Sequence, residues 1–172
     1  MSWRNGGGVT HELVRRPEEG EFDWRLSVAE VAADGPFSSF PGRDRILVLL
    51  SDAGMDLHVR GSGAAEAIAL RWPFAVHRFP GEATIDATLP DGPTTDLNLM
   101  WRRDRFDATV RRLDAPFDLA PRTGATLLAF VAGGAPELAG GTTLASGDVV
   151  ECADILHVDG SGTLLVFALV PR

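Results

Sequence analysis

Two short stretches carry polar groups inside otherwise apolar strands. In "FDWRLSVAEV", Arg25 and Ser27 share one parity, while Trp24, Leu26 and Val28 share the other. In "TTDLNLMWRR", Asp96, Asn98, Met100 and Arg102 alternate with Leu97, Leu99 and Trp101. A period of two is the strand period, so each stretch reads as a strand with one apolar and one polar face. If these faces line a lumen, the Arg, Ser, Asn and Asp side chains are convergent polar groups in a largely apolar cavity, the make-up of a small-molecule site. Arg forks a carboxylate bidentately. The same alternation describes a sheet whose polar face is simply in water. Alternation alone weights the solvent-facing arrangement more heavily, and it does not decide between the two.

Other chemistries have less support. The four His, His11, His58, His77 and His157, form no H-x-H or H-x-x-x-H pair, so no strand offers two closely spaced metal ligands. No G-x-S-x-G elbow is present, and Cys152 follows Val149 and Val150 in an apolar strand, where a buried, inert thiol is expected. "NGGG" is followed by no G-K-[ST] and lies in no strand-to-helix unit, so it is not a phosphate loop.

Composition narrows the class further. The 172 residues carry a net charge of −8, which opposes direct binding to a phosphate backbone. Every basic side chain is Arg, so any anion site here is an Arg site. The single cysteine excludes an intrachain disulfide and fits a reducing cytoplasm. No basic-then-apolar leader is evident, and the longest apolar runs are strand-length, too short to cross a membrane as a helix.

The elements that must position the polar groups are short. Nineteen Gly and eleven Pro punctuate the chain, and no segment holds helical periodicity over three turns. "RILVLLSDAGMDLHV" reads as two strands about a turn, and "ATIDATLPDGPTTDLNLMWRR" as a strand, a Pro-Asp-Gly-Pro turn and a strand. "GATLLAFVAGG" reads as a strand running into a turn, and "SGTLLVFALVPR" as a closing strand. Phe37 and Phe40 are buried-looking aromatics within a turn-rich run. The expected fold is all-β, one domain over residues 1–172 in a sandwich or barrel. Residues 104–123, with Pro116 and Pro121, are the expected crossover between two β halves.

Three longer phrases add a resemblance. "WRNGGGVTHEL", "FDWRLSVAEVAADGPFSSFPGRDRILVLL" and "RFPGEATIDATLPDGPTTDLNLMWRR" resemble, in order and spacing, the signature blocks of the HutD/Ves family, and they span Trp3 to Arg103. Phe106 to Arg172 is similar only in style. The resemblance implies a cupin-like fold of two packed β-barrel or sandwich halves (bicupin-like), without the usual cupin metal ligands. It implies a small-molecule-binding regulator of histidine utilisation, or a stress-induced protein of the Ves branch, with an acidic intermediate such as N-formylglutamate as ligand. Family members carry a short segment before the Trp of the first block, whereas only Met1 and Ser2 precede Trp3 here. The expectation is a later start or a missing edge strand.

The leading expectation is thus a metal-independent, cofactor-free binder of a small anionic metabolite. Its candidate polar groups are Asn5, Thr10, Glu12, Arg25, Ser27, Ser38, Arg45, Asn98 and Arg102, with Trp24, Phe40 and Met100 as walls. Arg25 and Arg45 would hold carboxylates; Asn98 and backbone amides near Gly6 to Gly8 would read a formyl or amide group. Each Arg has a structural alternative as the ion-pair partner of Asp23, Asp44 or Glu30. The rival is an enzyme, a hydrolase or isomerase of N-acyl amino acids with His11 or Glu12 as general base. It ranks second because no acid–base pair stands at a short spacing. A third reading has the blocks serve assembly alone, with open edge strands pairing across a two-fold axis into a homodimer.

Overall fold

A computed structural model describes residues 3, 6–60 and 66–172. The chain divides into two compact units, Met1–Asp104 and Arg105–Arg172. The described residues are all-β and contain no helix, hence none long and apolar enough to cross a membrane.

Among its described residues the first unit holds nine strands: β1 (Gly8–Arg16), β2 (Trp24–Val31), β3 (Gly35–Pro36), β4 (Arg43–Leu49), β5 (Met55–Arg60), β6 (Glu66–Leu70), β7 (Val76–Pro80), β8 (Thr84–Thr88) and β9 (Thr94–Arg102). They form two antiparallel sheets, ordered β1-β2-β9-β4-β7 and β3-β8-β5-β6. Their inner faces meet in one apolar core. Ala29, Val31, Leu47, Leu49 and Phe79 come from the first sheet; Met55, Leu57, Leu70, Ile85 and Ala87 come from the second. The second face of the five-stranded sheet is also buried, through Trp24, Leu26, Ile46, Val48, Leu97, Leu99 and Trp101. A sheet buried on both faces explains the near-continuous apolar run of β4.

The two pairs of strands read about turns are present, but the members of each pair do not hydrogen-bond to each other. β4 and β5 are consecutive, yet β4 pairs with β7 and β9 while β5 pairs with β6 and β8. β8 and β9 likewise belong to different sheets. A turn signal reports that the chain reverses. It does not report whether the second strand rejoins the same sheet or turns a corner into the other.

The second unit contains β10 (Phe106–Asp114), β11 (Phe117–Leu119), β12 (Thr126–Leu138), β13 (Thr142–Thr143), β14 (Val149–Cys152) and β15 (Leu156–Pro171). Its main sheet is ordered β10-β15-β12-β13, with β11 on β15 and β14 on β12. The stretch expected as a crossover therefore carries a nine-residue strand, β10, registered along β15 from Phe106↔Pro171 to Asp114↔Thr163. β12 also passes through the expected turn at Gly133 and Gly134, with a register shift between Val131 and Gly133. A Cβ at Gly134 would stand 2.5 Å from the Gly162 Cα, so the glycines let two strands lie close and do not end them.

Candidate functional site

The polar stripes of β2 and β9 turn inward. Register builds three rows across β2, β9 and β4: Arg25–Met100–Arg45, then Ser27–Asn98–Leu47, then Ala29–Asp96–Leu49. Successive rows are two residues apart, about 7 Å along the strands. β1 extends the lower rows, with Glu12 opposite Ser27 and Thr10 opposite Ala29. The inner face thus grades from two guanidiniums, through an amide, to a carboxylate, and then into the apolar core. Ser27, Arg45, Asp96 and Asn98 are all buried, with Asp96 only 1% exposed. The solvent-facing arrangement that alternation favoured is overturned.

These rows line a cavity of about 580 Å³, within the usual range for small-molecule sites. Its wall is completed by Trp3, Pro36, Phe37, Ser38 and Phe40. Two backbone approaches hold that wall. Phe40 N–H donates to Gly81 O at 2.8 Å and Gly81 N–H to Arg43 O at 2.7 Å; a Cβ on Gly81 would sit 2.5 Å from Phe40 O. On the other side Trp3 Nε1 donates to Thr10 Oγ1 at 2.7 Å, and a Cβ on Gly8 would sit 2.4 Å from Glu30 O and 3.2 Å from the Trp3 ring. Gly8 therefore serves close packing of the chain on itself, whereas Gly6 has open space beside it and a positive φ of 72°. Gly6, Gly7 and Gly8 do not line the cavity, which corrects the expectation that their amides read a ligand.

Arg45 is 6% exposed and its guanidinium lies 4.9 Å from the Phe79 ring centroid, 5.2 Å from Phe37 and 5.7 Å from Phe40. Arg45 Nη1 donates a long hydrogen bond to Ser38 O at 3.4 Å, and its buried Nε meets no acceptor. Burial pushes its pKa down to about 10, against the opposing pull of Asp96 and with a further push from Arg25. Arg25 lies between the Phe22 and Phe40 rings, at 4.9 and 5.7 Å, and its Nη2 is 3.7 Å from Met100 Sδ. Its Nε is also buried without an acceptor, and its nearest carboxylate is Glu12 at 3.9 Å. Burial is the main cause of its lowered pKa; Glu12 acts to raise it, and Arg15 and Arg43 to lower it.

The structural counter-ions named from sequence pair with neither Arg25 nor Arg45, and one of them, Asp23, faces the candidate Arg102. Asp44 pairs with Arg103 at 3.0 Å and Arg78 at 3.3 Å, Asp23 faces Arg102 at 4.0 Å, and Glu30 takes His11 at 3.1 Å. Asp96 completes the polar set. Burial pushes its pKa up to about 7 against the field of Arg45. Asp96 Oδ1 and Asn98 Oδ1 are both buried with no hydrogen-bond partner.

Of the residues expected at a site, Thr10, Glu12, Arg25, Ser27, Ser38, Phe40, Arg45, Asn98 and Met100 line this one cavity. Asn5 lies outside the described residues. Trp24 does not line the cavity: it is one residue out of phase with Arg25, so its side chain goes to the other face of β2. Arg102 has the right parity but stands at the end of β9, where Asp104 takes its Nε at 3.1 Å and Nη2 at 2.7 Å. His11, the rival's general base, lies on β1 beside Glu30 and does not line the cavity. Phe37 and Trp3 were not among the candidates from sequence, and Asp96, though counted with the convergent polar groups, was not carried into the ligand set. Asp96 had a signal, sharing the parity of Asn98 and Met100.

Among the described residues no group of three or more His, Cys, Asp or Glu is placed to hold a metal ion. The carboxylates lining the cavity are Glu12 and Asp96, joined by no His or Cys. Cys152 is half-buried and burial raises its thiol pKa, away from the thiolate. The second unit carries its own smaller cavity of about 300 Å³, with Arg111 and Arg122 among its lining residues.

Comparison with known proteins gives the class first. The two-unit β architecture is that of the cupin fold; a cupin 2 conserved barrel domain protein from Leptotrichia buccalis superposes with a TM-score of 0.58 at 10% identity, over 96% of this chain and 89% of that one. The HutD family model matches residues 1–166, and the chain belongs to the HutD family. HutD from Pseudomonas fluorescens SBW25 superposes with a TM-score of 0.84 at 30% identity, covering all of this chain and 93% of that one. A 21.2 kDa protein from the hutC 3′ region of Pseudomonas putida is 33% identical over 96% of this chain and 84% of its own length. Protein Ves of Citrobacter koseri is 37% identical over 87% of this chain and 75% of its own length.

Proposed function

We propose that the protein binds a small anionic metabolite without a metal and acts as a regulator of histidine utilisation, with an acidic intermediate such as N-formylglutamate as the ligand. The observation that carries this reading is the pair Arg25 and Arg45, which share one row of the cavity and keep buried Nε groups without acceptors. Two guanidiniums this desolvated, short of carboxylate partners and stacked on aromatic rings, are pre-set for a carboxylate. The inner wall of Phe37, Phe40 and Met100 suits a short aliphatic body. The hutC-region location of the Pseudomonas putida relative supports the link to histidine utilisation.

The test is calorimetric titration with N-formylglutamate in the presence of EDTA, beside an assay for its disappearance. Saturable binding to one site with the ligand recovered intact is expected. Absence of binding removes the proposed ligand, and turnover replaces the binder with an enzyme.

A further inference from the structure

We propose that Asp96 and Asn98 form a second recognition pole of this cavity, which accepts an N–H from the ligand, so that the site selects carboxylates bearing an amide or amine over plain carboxylates of the same length. The inference rests on the reading that Arg25 and Arg45 hold the ligand's carboxylate.

Folding leaves two buried acceptor atoms over in this cavity. Buried acceptors are nearly always paired, because an unpaired one keeps its desolvation penalty without a hydrogen bond in return. Asp96 Oδ1 and Asn98 Oδ1 meet no donor from the protein, although both residues are almost wholly buried and both line the cavity. They are neighbours on one face of β9, one and two rows below the two Arg. The rows stand about 7 and about 13 Å from the Arg row along the strands. An amino acid carrying an acyl group spans the first of these distances when its side-chain carboxylate is on Arg25 and Arg45.

The chemistry of the two poles is complementary. The upper pole offers donors only, since a guanidinium has no acceptor. The lower pole offers free acceptors. The charged and titratable groups that face Asp96 from the packed strands are Arg45 on β4, Arg25 on β2 and Glu12 on β1. None of them donates a hydrogen bond to Asp96. A plain dicarboxylate seated in the same place brings no N–H to Asp96 Oδ1 or Asn98 Oδ1. An N–H removes their desolvation penalty, and a site built around a hydrogen bond rejects the analogue that lacks it more strongly than an apolar pocket rejects a missing methylene.

The experiment compares N-acetylglutamate with 2-acetoxyglutarate, which differ in one N–H replaced by oxygen. In the wild-type protein the amide is expected to bind roughly tenfold or more tightly than the ester. Asp96→Asn keeps an acceptor oxygen and should keep most of that preference. Asp96→Leu removes the acceptor and should bring the ratio near one, with a thermal melt confirming that the variant is folded. Equal affinities for amide and ester in the wild type overturn the inference while leaving the carboxylate reading in place. A preference that survives Asp96→Leu intact in a folded protein also overturns it. Binding of neither compound to folded wild-type protein overturns both readings together.

Discussion

Replacing Arg45 by Met separates a ligand anchor from a structural cation. Met retains much of the aliphatic stem and loses the charge and its donors. Burial that pushes the Arg45 pKa down from its ordinary value to about 10 corresponds to roughly 3 kcal/mol held against the folded state at neutral pH. The sign follows from the base: its charged form is favoured more in the unfolded chain, so the charge destabilises the fold at all pH values below about 10. The three ring contacts return part of this, about 0.5–1 kcal/mol each. Arg45→Met should therefore leave stability unchanged or raise it by about 1–2 kcal/mol, a Tm shift from zero to roughly 5 °C upward. Without the cation, Asp96 keeps its proton at pH 7, so no new unpaired charge offsets the gain. Binding should respond in the opposite direction. Loss of one charge-assisted hydrogen bond costs about 1.5–3 kcal/mol, a tenfold to hundredfold weaker affinity for N-formylglutamate. Thermal melts and calorimetric titrations on the same samples read both effects. A lower Tm with undiminished affinity would refute the reasoning, since it would make Arg45 a structural cation.

Three further outcomes follow from the same geometry. Asp96 is an acid whose folded pKa of about 7 lies above its free value of 3.8, so its contribution to stability is lost as pH rises from about 4 to 7; Asp96→Asn should be the more stable protein at pH 8 by about 2–4 kcal/mol and match the wild type near pH 4 in urea melts. Affinity for N-formylglutamate, corrected for the proton on Asp96 by comparison with Asp96→Asn, should be flat from pH 7 to 9, weaken toward the ligand's own carboxyl pKa near about 4, and fall again above about 10, where Arg45 loses its proton; a step near pH 6.5 in that variant would point to His instead. Gly8→Ala places a Cβ 2.4 Å from Glu30 O, so it should destabilise the fold by about 1–3 kcal/mol, read as a lower Tm, and a normal melt would show that β1 has room to move.

The sequence carried much of this site, and the limits have physical causes. Alternation located β2 and β9 and put Arg25 with Ser27 and Asp96 with Asn98. It could not say which face was inside, because burial on both faces of a sheet leaves the same period of two as burial on one. The family phrases, which run from Trp3 to Arg103, pointed to the lumen instead. Parity alone should have excluded Trp24, which shares its face with Leu26. Arg102 needed the structure, since its parity is right and only the end of β9 lets Asp104 draw it away. Asp96 stood among the polar groups that would converge in the lumen but was not carried into the ligand set, and its orphaned oxygen is visible only in the structure. In the second unit, β10 was hidden by Arg111, Arg112 and two aspartates on a half-exposed strand, where apolar patterning is weak.

The central claim is that Arg25 and Arg45 together seat a ligand carboxylate inside the first unit. A crystal structure of the protein with N-formylglutamate tests it most directly. The account predicts the ligand in the 580 Å³ cavity, one carboxylate between the two guanidiniums and its N–H toward Asp96 and Asn98. Ligand seated elsewhere, such as the second unit's cavity by Arg111 and Arg122, or a carboxylate turned away from both Arg25 and Arg45, would contradict it.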